Sequence, residues 1–356
     1  MEPQQNPDLV GQADAERTLL ESALSGRLAH AWLFSGPRGI GKATLAYRFA
    51  RFLLAGREAG SSGLFGDAPS SLALEANDPV FRRVASGGHP DLRTVTRSTH
   101  PTTGKLRSEI VVDDIREAIG FLRLTPAEGG WRVVIVDGAE EMNRNASNAL
   151  LKVLEEPPPR AVLLLVCHAP GRLLATVRSR CRRLDIKALP AATVADLLAR
   201  EVPELAEADR GILARLGDGS IGRALALAEA GGVGLYKDLL DMFLSLPKLD
   251  VGGAHRLADK LARGGTEGTF RVAAELLLGW LLRMLRHVGA GTDAQGEILP
   301  GEAACMRRLG KAEPTIRWLE FIETTQRQFA LVDVLNLDRR QVWLAAILGL
   351  QRMASG

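Results

Sequence analysis

The stretch that most constrains this chain is "AHAWLFSGPRGIGKATLAYRFARFLLAG", Ala29 to Gly56. Ala29 to Phe34 is a short apolar run and reads as a buried strand. It leads into a glycine loop, after which Leu45, Phe49, Phe52 and Leu53 recur at helical spacing. Strand, glycine turn and helix together let backbone N–H groups and the positive end of a helix hold phosphate. The loop follows G-x-x-x-x-G-K-[ST] at Gly36, Gly41 and Lys42, with Gly39 between, and departs from it at Ala43. Lys42 falls where such a lysine meets the outer phosphates. The hydroxyl that normally comes next binds Mg²⁺, and Ala43 has none. Thr44 is one residue on, about 100° around the helix, so it does not substitute. The other reading is a glycine turn with no ligand.

Further along, Val133 to Val136 are four apolar residues ahead of Asp137, the pattern of a parallel strand buried on both faces. Ala161 to His168 and Arg182 to Ile186 read as two more strands. Ala146, Ala149, Leu150, Val153 and Leu154 share one helical face, and Pro157 to Pro159 stop that helix. Strands alternating with helices predict an α/β fold, a parallel sheet with helices on both faces. Residues 56–90 are rich in Gly, Ser and Ala and read as an insertion or loop module; Ser98 to Glu109 is also turn-rich. After about residue 187 the strand signals stop and the remaining patterns are helical. The expected domains are therefore an α/β domain over 1–187, a small helical domain over 188–235 and a larger helical domain over 236–356. A chain of 356 residues has room for them.

Asp137, at the end of its strand, has two readings: a carboxylate for Mg²⁺ or its water, or a cap for the following helix. "SRC" (Ser179, Arg180, Cys181) also has two. A basic stretch is ordinarily a solvated surface, but a fixed guanidinium can stabilise a phosphoryl group in flight, including one held by a neighbouring subunit.

Composition closes off several classes. Hydrophobic residues are 46% and charged residues 24%, as in ordinary globular proteins. A net charge of +3 is too small to argue for nucleic-acid binding by itself. With no helix-turn-helix signature and no concentrated basic helix, a sequence-specific DNA-binding regulator is disfavoured. Cys167, Cys181 and Cys305 are scattered and odd in number, which points to reduced thiols and a cytoplasmic location. The start "MEPQQNPDLV" is not expected to be a signal peptide. No apolar run approaches the roughly 20 residues of a membrane span.

"AHAWLFSGPRGIGK", "ALLKVLEEPP" and "SRC", in this order and at this spacing, resemble bacterial clamp-loader subunits, AAA+ proteins of the DNA polymerase III holoenzyme. The resemblance covers roughly residues 5 to 230, and "NLDRRQVWLAAIL" looks like the last collar helix of those subunits. It implies an AAA+ P-loop domain, then a helical lid, then an oligomerising collar. The partners it implies are gamma/tau and delta subunits, the beta sliding clamp, and primer–template DNA through the assembly, with no membrane.

Motor subunits of that family carry intact phosphate-loop, acidic and sensor residues. This chain has Ala43 in the loop, Gly138 where an acidic residue follows the strand-end aspartate, and an intact "SRC". That combination resembles the non-motor, delta-prime branch. By the same resemblance Val10, Gly11 and Gln12 lie against adenine. Gly36, Gly39, Gly41, Lys42, Ala43, Thr44 and Asp137 line the phosphates. Cys167 or His168 falls at a sensor threonine. Gly222 stands where a sensor arginine is usual, with Arg223 displaced by one residue, again about 100° around a helix.

Arg180 matches the arginine finger that acts in trans. ATP or ADP is then a candidate ligand, with Mg²⁺ held weakly or not at all. The family's four-cysteine zinc module has no counterpart, because residues 56–110 contain no cysteine. No zinc is expected, and His89 of "GGHPDLR" is read as a turn or surface residue. Arg144 and Lys152 are candidates for DNA-backbone contact. The competing reading is an ATPase that turns over its own nucleotide with Lys42 and Asp137.

Overall fold

In the computed structural model the described residues are 2–57, 69–263, 267–290 and 296–355. They form two compact units, one up to Thr193 and one from Val194 onward. The first unit contains α1 (Ala13–Leu24), β1 (Ala31–Ser35), α2 (Lys42–Leu54), α3 (Pro79–Ala85), β2 (Leu92–Val95) and α4 (Val112–Leu122). It continues through β3 (Arg132–Asp137), α5 (Arg144–Glu155), β4 (Ala161–Cys167), α6 (Ala175–Arg178) and β5 (Arg182–Asp185).

The five strands make one parallel sheet in the order β2-β3-β4-β1-β5. Side chains alternate across it, so each central strand feeds two cores. Trp32, Phe34, Val133, Ile135, Leu164 and Val166 meet Leu19, Leu45, Phe49 and Phe52 of α1 and α2 on one face. Ala31, Leu33, Val134, Val136, Leu163 and Leu165 meet Ile115, Leu150, Val153 and Val177 of α4, α5 and α6 on the other. A parallel sheet covered on both sides is the reason β3 and β4 read as unbroken apolar runs.

Register sets the position of the loops. Ser35 of β1 is level with Cys167 of β4 and Asp185 of β5, and Asp137 of β3 is level with Val166. The segments after β1, β3 and β4 therefore leave the sheet at the same edge. This carboxyl edge is where open parallel sheets hold ligands.

Three elements depart from the sequence reading. α3 lies within the stretch taken as a loop module; of that stretch, 58–68 fall outside the described residues. β2 is half exposed and, among the described residues, is an edge strand paired with β3. α4 was not anticipated. His89 also differs. It is a turn residue, its Nδ1 accepting the Asp91 N–H at 3.2 Å, but at 4% exposure it is buried rather than on the surface. Asp91 beside it is buried, accepts the N–H groups of Ala127 and Glu128 at 2.8 and 3.0 Å, and pairs with Arg132 at 3.3 Å. The "HPD" turn thus ties the start of β2 to the connection between α4 and β3.

α7 (Ala191–Glu201) crosses the division between the units. The second unit then has α8 (Glu207–Leu216), α9 (Ile221–Glu229), α10 (Gly232–Ser245), α11 (Val251–Arg263), α12 (Glu267–Ala290), α13 (Glu302–Gly310), α14 (Thr315–Val334) and α15 (Arg339–Ser355). Its core is aromatic. Phe243 lies 4.2 Å from Trp280, Phe329 stacks on Trp343 at 5.9 Å, and Phe270 stands edge-on to both members of that stack. A buried polar cluster sits among these helices. Glu302 accepts from the Tyr236 hydroxyl and the Ile298 N–H and pairs with Arg283. Among the described residues no helix is long and apolar enough to cross a membrane.

Candidate functional site

The loop between β1 and α2 is built by glycine where no other residue fits. Gly39 and Gly41 have φ of 75° and 95°, in the left-handed region. At Gly36 a Cβ would lie 2.3 Å from the Ile186 carbonyl oxygen, so the loop passes too close to the segment after β5 for any side chain. Lys42 opens α2 and is 2% exposed. Its Nζ donates to the carbonyls of Gly36, at 2.7 Å, and Pro37. Burial lowers the Lys42 pKa to about 8, against the upward pull of the Glu140 and Asp137 charges. Ala43 and Thr44 follow, both half-buried.

Asp137 ends β3 half-buried. Burial raises its pKa, while Lys42 and Arg38 hold it down. It caps no helix. The short 3-10 turn at Ala139–Glu141 has Gly138 at its cap, and the next α-helix, α5, is capped by Asn143, whose Oδ1 accepts the Ala146 N–H at 2.9 Å. Gly138 has φ 85°, and a Cβ there would lie 3.0 Å from the Glu141 carboxylate. The backbone at the position following the strand-end aspartate therefore suits glycine and strains anything larger.

Two residues of this edge make contacts that the sequence reading did not assign. Glu140 turns its carboxylate onto the His168 N–H, 3.1 Å from each oxygen, and is the largest charge acting on Lys42. Arg38, exposed at the tip of the loop, acts electrostatically on Lys42, Asp137 and His168. The Glu140 bond joins residues 28 apart in sequence, which no local pattern announces. Cys167 is fully buried as the last residue of β4, its thiol pushed up to about 12 by burial. His168 follows Cys167, with its Nδ1 buried. Burial and Lys42 lower its pKa to about 4, so the ring is neutral at neutral pH.

The amino-terminal segment is fixed to the same body. Arg48 of α2 donates to the Pro7 carbonyl at 2.6 Å, and buried Arg51 donates to the Asn6 carbonyl at 2.9 Å while lying over Phe81. Beyond it come Val10, half-buried, and Gly11, whose φ is 77° and whose Cβ would strike Leu189. Gln12 is buried, and its Nε2 bridges the carbonyls of Ile40 and Lys187 at 3.1 and 3.0 Å. Gln12 thus links the phosphate loop to the chain after β5.

The cradle fits the phosphates of a nucleotide, with an amide-lined turn, a lysine and a helix start. It suits tightly bound Mg²⁺ poorly, since Ala43 supplies no hydroxyl oxygen, and Gly138 leaves no carboxylate to polarise an attacking water. Among the described residues no group of three or more His, Cys, Asp or Glu is placed to hold a metal.

Arg180 lies apart from the loop. It precedes β5, at the amino edge of the sheet, whereas the loop follows β1 at the carboxyl edge. Its Nη2 pairs with Glu155 at 2.8 Å, and its Nη1 donates to the Thr176 carbonyl at 3.0 Å. Cys181 beside it is half-buried against the α5–α6 core, its thiol pushed up to about 12 by burial. Arg223 belongs to the second unit, on the first turn of α9. Ser220 caps that helix, accepting the Arg223 N–H at 3.0 Å, and the guanidinium lies against Gly279 of α12. Arg144 and Lys152 are both exposed on α5.

Sheet order, glycine loop and strand-end aspartate together define an AAA+ P-loop α/β domain. The family model described as DNA polymerase III, delta subunit matches residues 11–190. The chain is 38% identical over 233 residues to the DNA polymerase III subunit delta' of Pseudomonas aeruginosa, covering 65% of each chain. It is 31% identical over 231 residues to the Escherichia coli subunit tau, covering 64% of this chain and 33% of tau. The match thus spans less than two thirds of either relative's length. A gamma subunit-related protein from Thermotoga maritima, of known structure, is 20% identical with a TM-score of 0.39 over 94% of this chain and 99% of its own, too low a score to compare architectures. The chain belongs to the family described as DNA polymerase III, delta subunit.

Proposed function

We propose that this chain is a non-motor subunit of a DNA polymerase III clamp loader. It acts in DNA replication by completing the ATP site of its neighbour and helping to place the beta sliding clamp on primed DNA. Arg180 is the group it donates in trans. A guanidinium there stabilises charge spreading over the transferred phosphoryl oxygens, and its fork geometry suits that task. The carrying observation is the contrast between two edges of one sheet. At the loop edge Ala43 lacks the magnesium hydroxyl, and Gly138 sits in a backbone that strains an acidic side chain. At the other edge Arg180 is intact, partly exposed and held by two contacts.

On this reading ATP or ADP bound at Gly36, Gly39, Gly41 and Lys42 stabilises the fold without turnover. Val10 and Gly11 form the adenine side, and Mg²⁺ is weakly held at Asp137. Residues 188–235 form the lid, where Arg223 belongs to the second sensor segment, and 236–356 form the collar joining gamma/tau and delta subunits. Arg144 and Lys152, both exposed on α5, are the proposed salt-sensitive contacts with the primer–template backbone. The protein works in the cytoplasm.

The test is DNA-stimulated ATP turnover by the reconstituted loader with Arg180→Ala or Lys42→Ala in this subunit. Arg180→Ala should lower turnover by about 10³ per completed site, the usual size for such an arginine, and Lys42→Ala should leave it unchanged. An equal loss from Lys42→Ala, with assembly intact, would mean that the chain hydrolyses its own ATP.

A further inference from the structure

Arg180 does not wait free in solution, and the residue that holds it sits in a place that helix energetics disfavour. Glu155 is the last residue of α5. A carboxylate there faces the negative end of the helix dipole. The Arg180 guanidinium, 2.8 Å from its Oε1, offsets that repulsion. Both side chains are partly open to solvent, at 37% for Arg180 and 53% for Glu155, and ion pairs so exposed add little to stability. Stability therefore does not explain the pair.

We propose that Glu155 is a positioning residue for Arg180, fixing the guanidinium in the orientation it needs to reach a phosphate on the neighbouring subunit. This rests on the in-trans reading of Arg180. The geometry suits holding rather than blocking. The Thr176 carbonyl takes one N–H of Nη1 and Glu155 one of Nη2, two of the five N–H groups of a guanidinium. A free arginine loses much rotamer entropy when it is ordered, and a tethered one has lost part of it beforehand. Both anchors are rigid. α5 and α6 share the core built by Leu150, Val153, Leu154 and Val177, so the carboxylate and the carbonyl keep their spacing.

The experiment is steady-state ATP turnover by the reconstituted loader on primed DNA. This subunit carries Glu155→Ala or Glu155→Gln, each alone and combined with Arg180→Ala. Glu155→Ala should lower kcat about three- to tenfold at unchanged KM, the size of coupling expected within one ion-pair network. Glu155→Gln keeps an acceptor oxygen and should recover part of the loss. Neither variant should change the Tm of the free chain, and Glu155→Ala should cost nothing more once Arg180 is alanine. A kcat unchanged or raised by Glu155→Ala, where Arg180→Ala lowers it, overturns the positioning role while leaving the in-trans arginine standing. A loss that persists in the Arg180→Ala background also overturns it. Turnover indifferent to Arg180→Ala overturns the reading of the arginine, and this proposal with it.

Discussion

Lys42 carries a contradiction that a titration can read out. It is nearly fully buried, is held by two carbonyls, and has a pKa lowered to about 8 by that burial. The unfolded chain keeps the proton up to about 10.5, so between about pH 8 and 10.5 the unfolded state binds more protons than the folded one. Stability must rise with pH across that window, and below about pH 8 the burial cost is present in full. Lys42→Met removes the effect. The unfolding free energy of the wild type, minus that of Lys42→Met, should increase by up to about 3 kcal/mol from about pH 7.5 to about pH 10.5. Urea denaturation of both chains checks this, and a flat difference would show that the ammonium is not desolvated. At this scale much of the site was legible. Gly36, Gly41 and Lys42 announce themselves by spacing, and the blank at Ala43 is visible against them. The partners of Glu140 and Glu155 were not legible, because they lie 28 and 25 residues away and only the folded sheet brings them together.

Elements were legible where burial is two-sided. β1, β3 and β4 lie in the sheet interior, and their apolar runs gave them away. β2, with the sequence Leu-Arg-Thr-Val, is a half-exposed edge strand and has no such run. α4 lacks a Ser, Thr, Asp or Asn at its amino-terminal cap, which is Val111; only the reach of Asp114 back to the Val111 N–H marks its start. α3 did have a readable signal, Asp78 capping the Val80 N–H ahead of Pro79, hidden inside a Gly- and Ser-rich stretch. The "HPD" turn holds this less legible half of the sheet in place. Asp91→Asn keeps the shape but gives up the charge on two backbone N–H groups and on buried Arg132. It should lower the unfolding free energy by about 3 kcal/mol, as when a buried pair loses one partner. Denaturant melts would detect it, and a loss below about 0.5 kcal/mol would mean that the turn is not a tie.

The whole molecule has two kinds of core. One unit is an aliphatic sheet sandwich and the other a set of helices around Trp280, Trp318 and Trp343. Each has its own buried ion pair, Asp91–Arg132 in the first and Arg283–Glu302 in the second. Calorimetry of the intact chain should show Asp91→Asn lowering one transition and Glu302→Gln lowering another. A single transition moved equally by both would show that the two cores melt as one. The division into a sheet part and a helical part could be read from the disappearance of strand patterns. The polar cluster of Tyr236, Arg283 and Glu302 could not, since its members come from three different helices.

β1 and β5 lie side by side, and their length of about 13 Å separates the phosphate loop at one edge from Arg180 at the other. On the proposed reading, related bodies stack head to tail, each arginine edge facing the next loop edge, and a head-to-tail arrangement has a direction. On that reading, a member whose loop edge lacks the magnesium hydroxyl and the water-polarising carboxylate, and whose arginine edge works, can complete a row but cannot extend it. On the proposed reading, the geometry of one sheet makes this chain a terminator, so that the number of firing sites in the assembly is counted from where it sits.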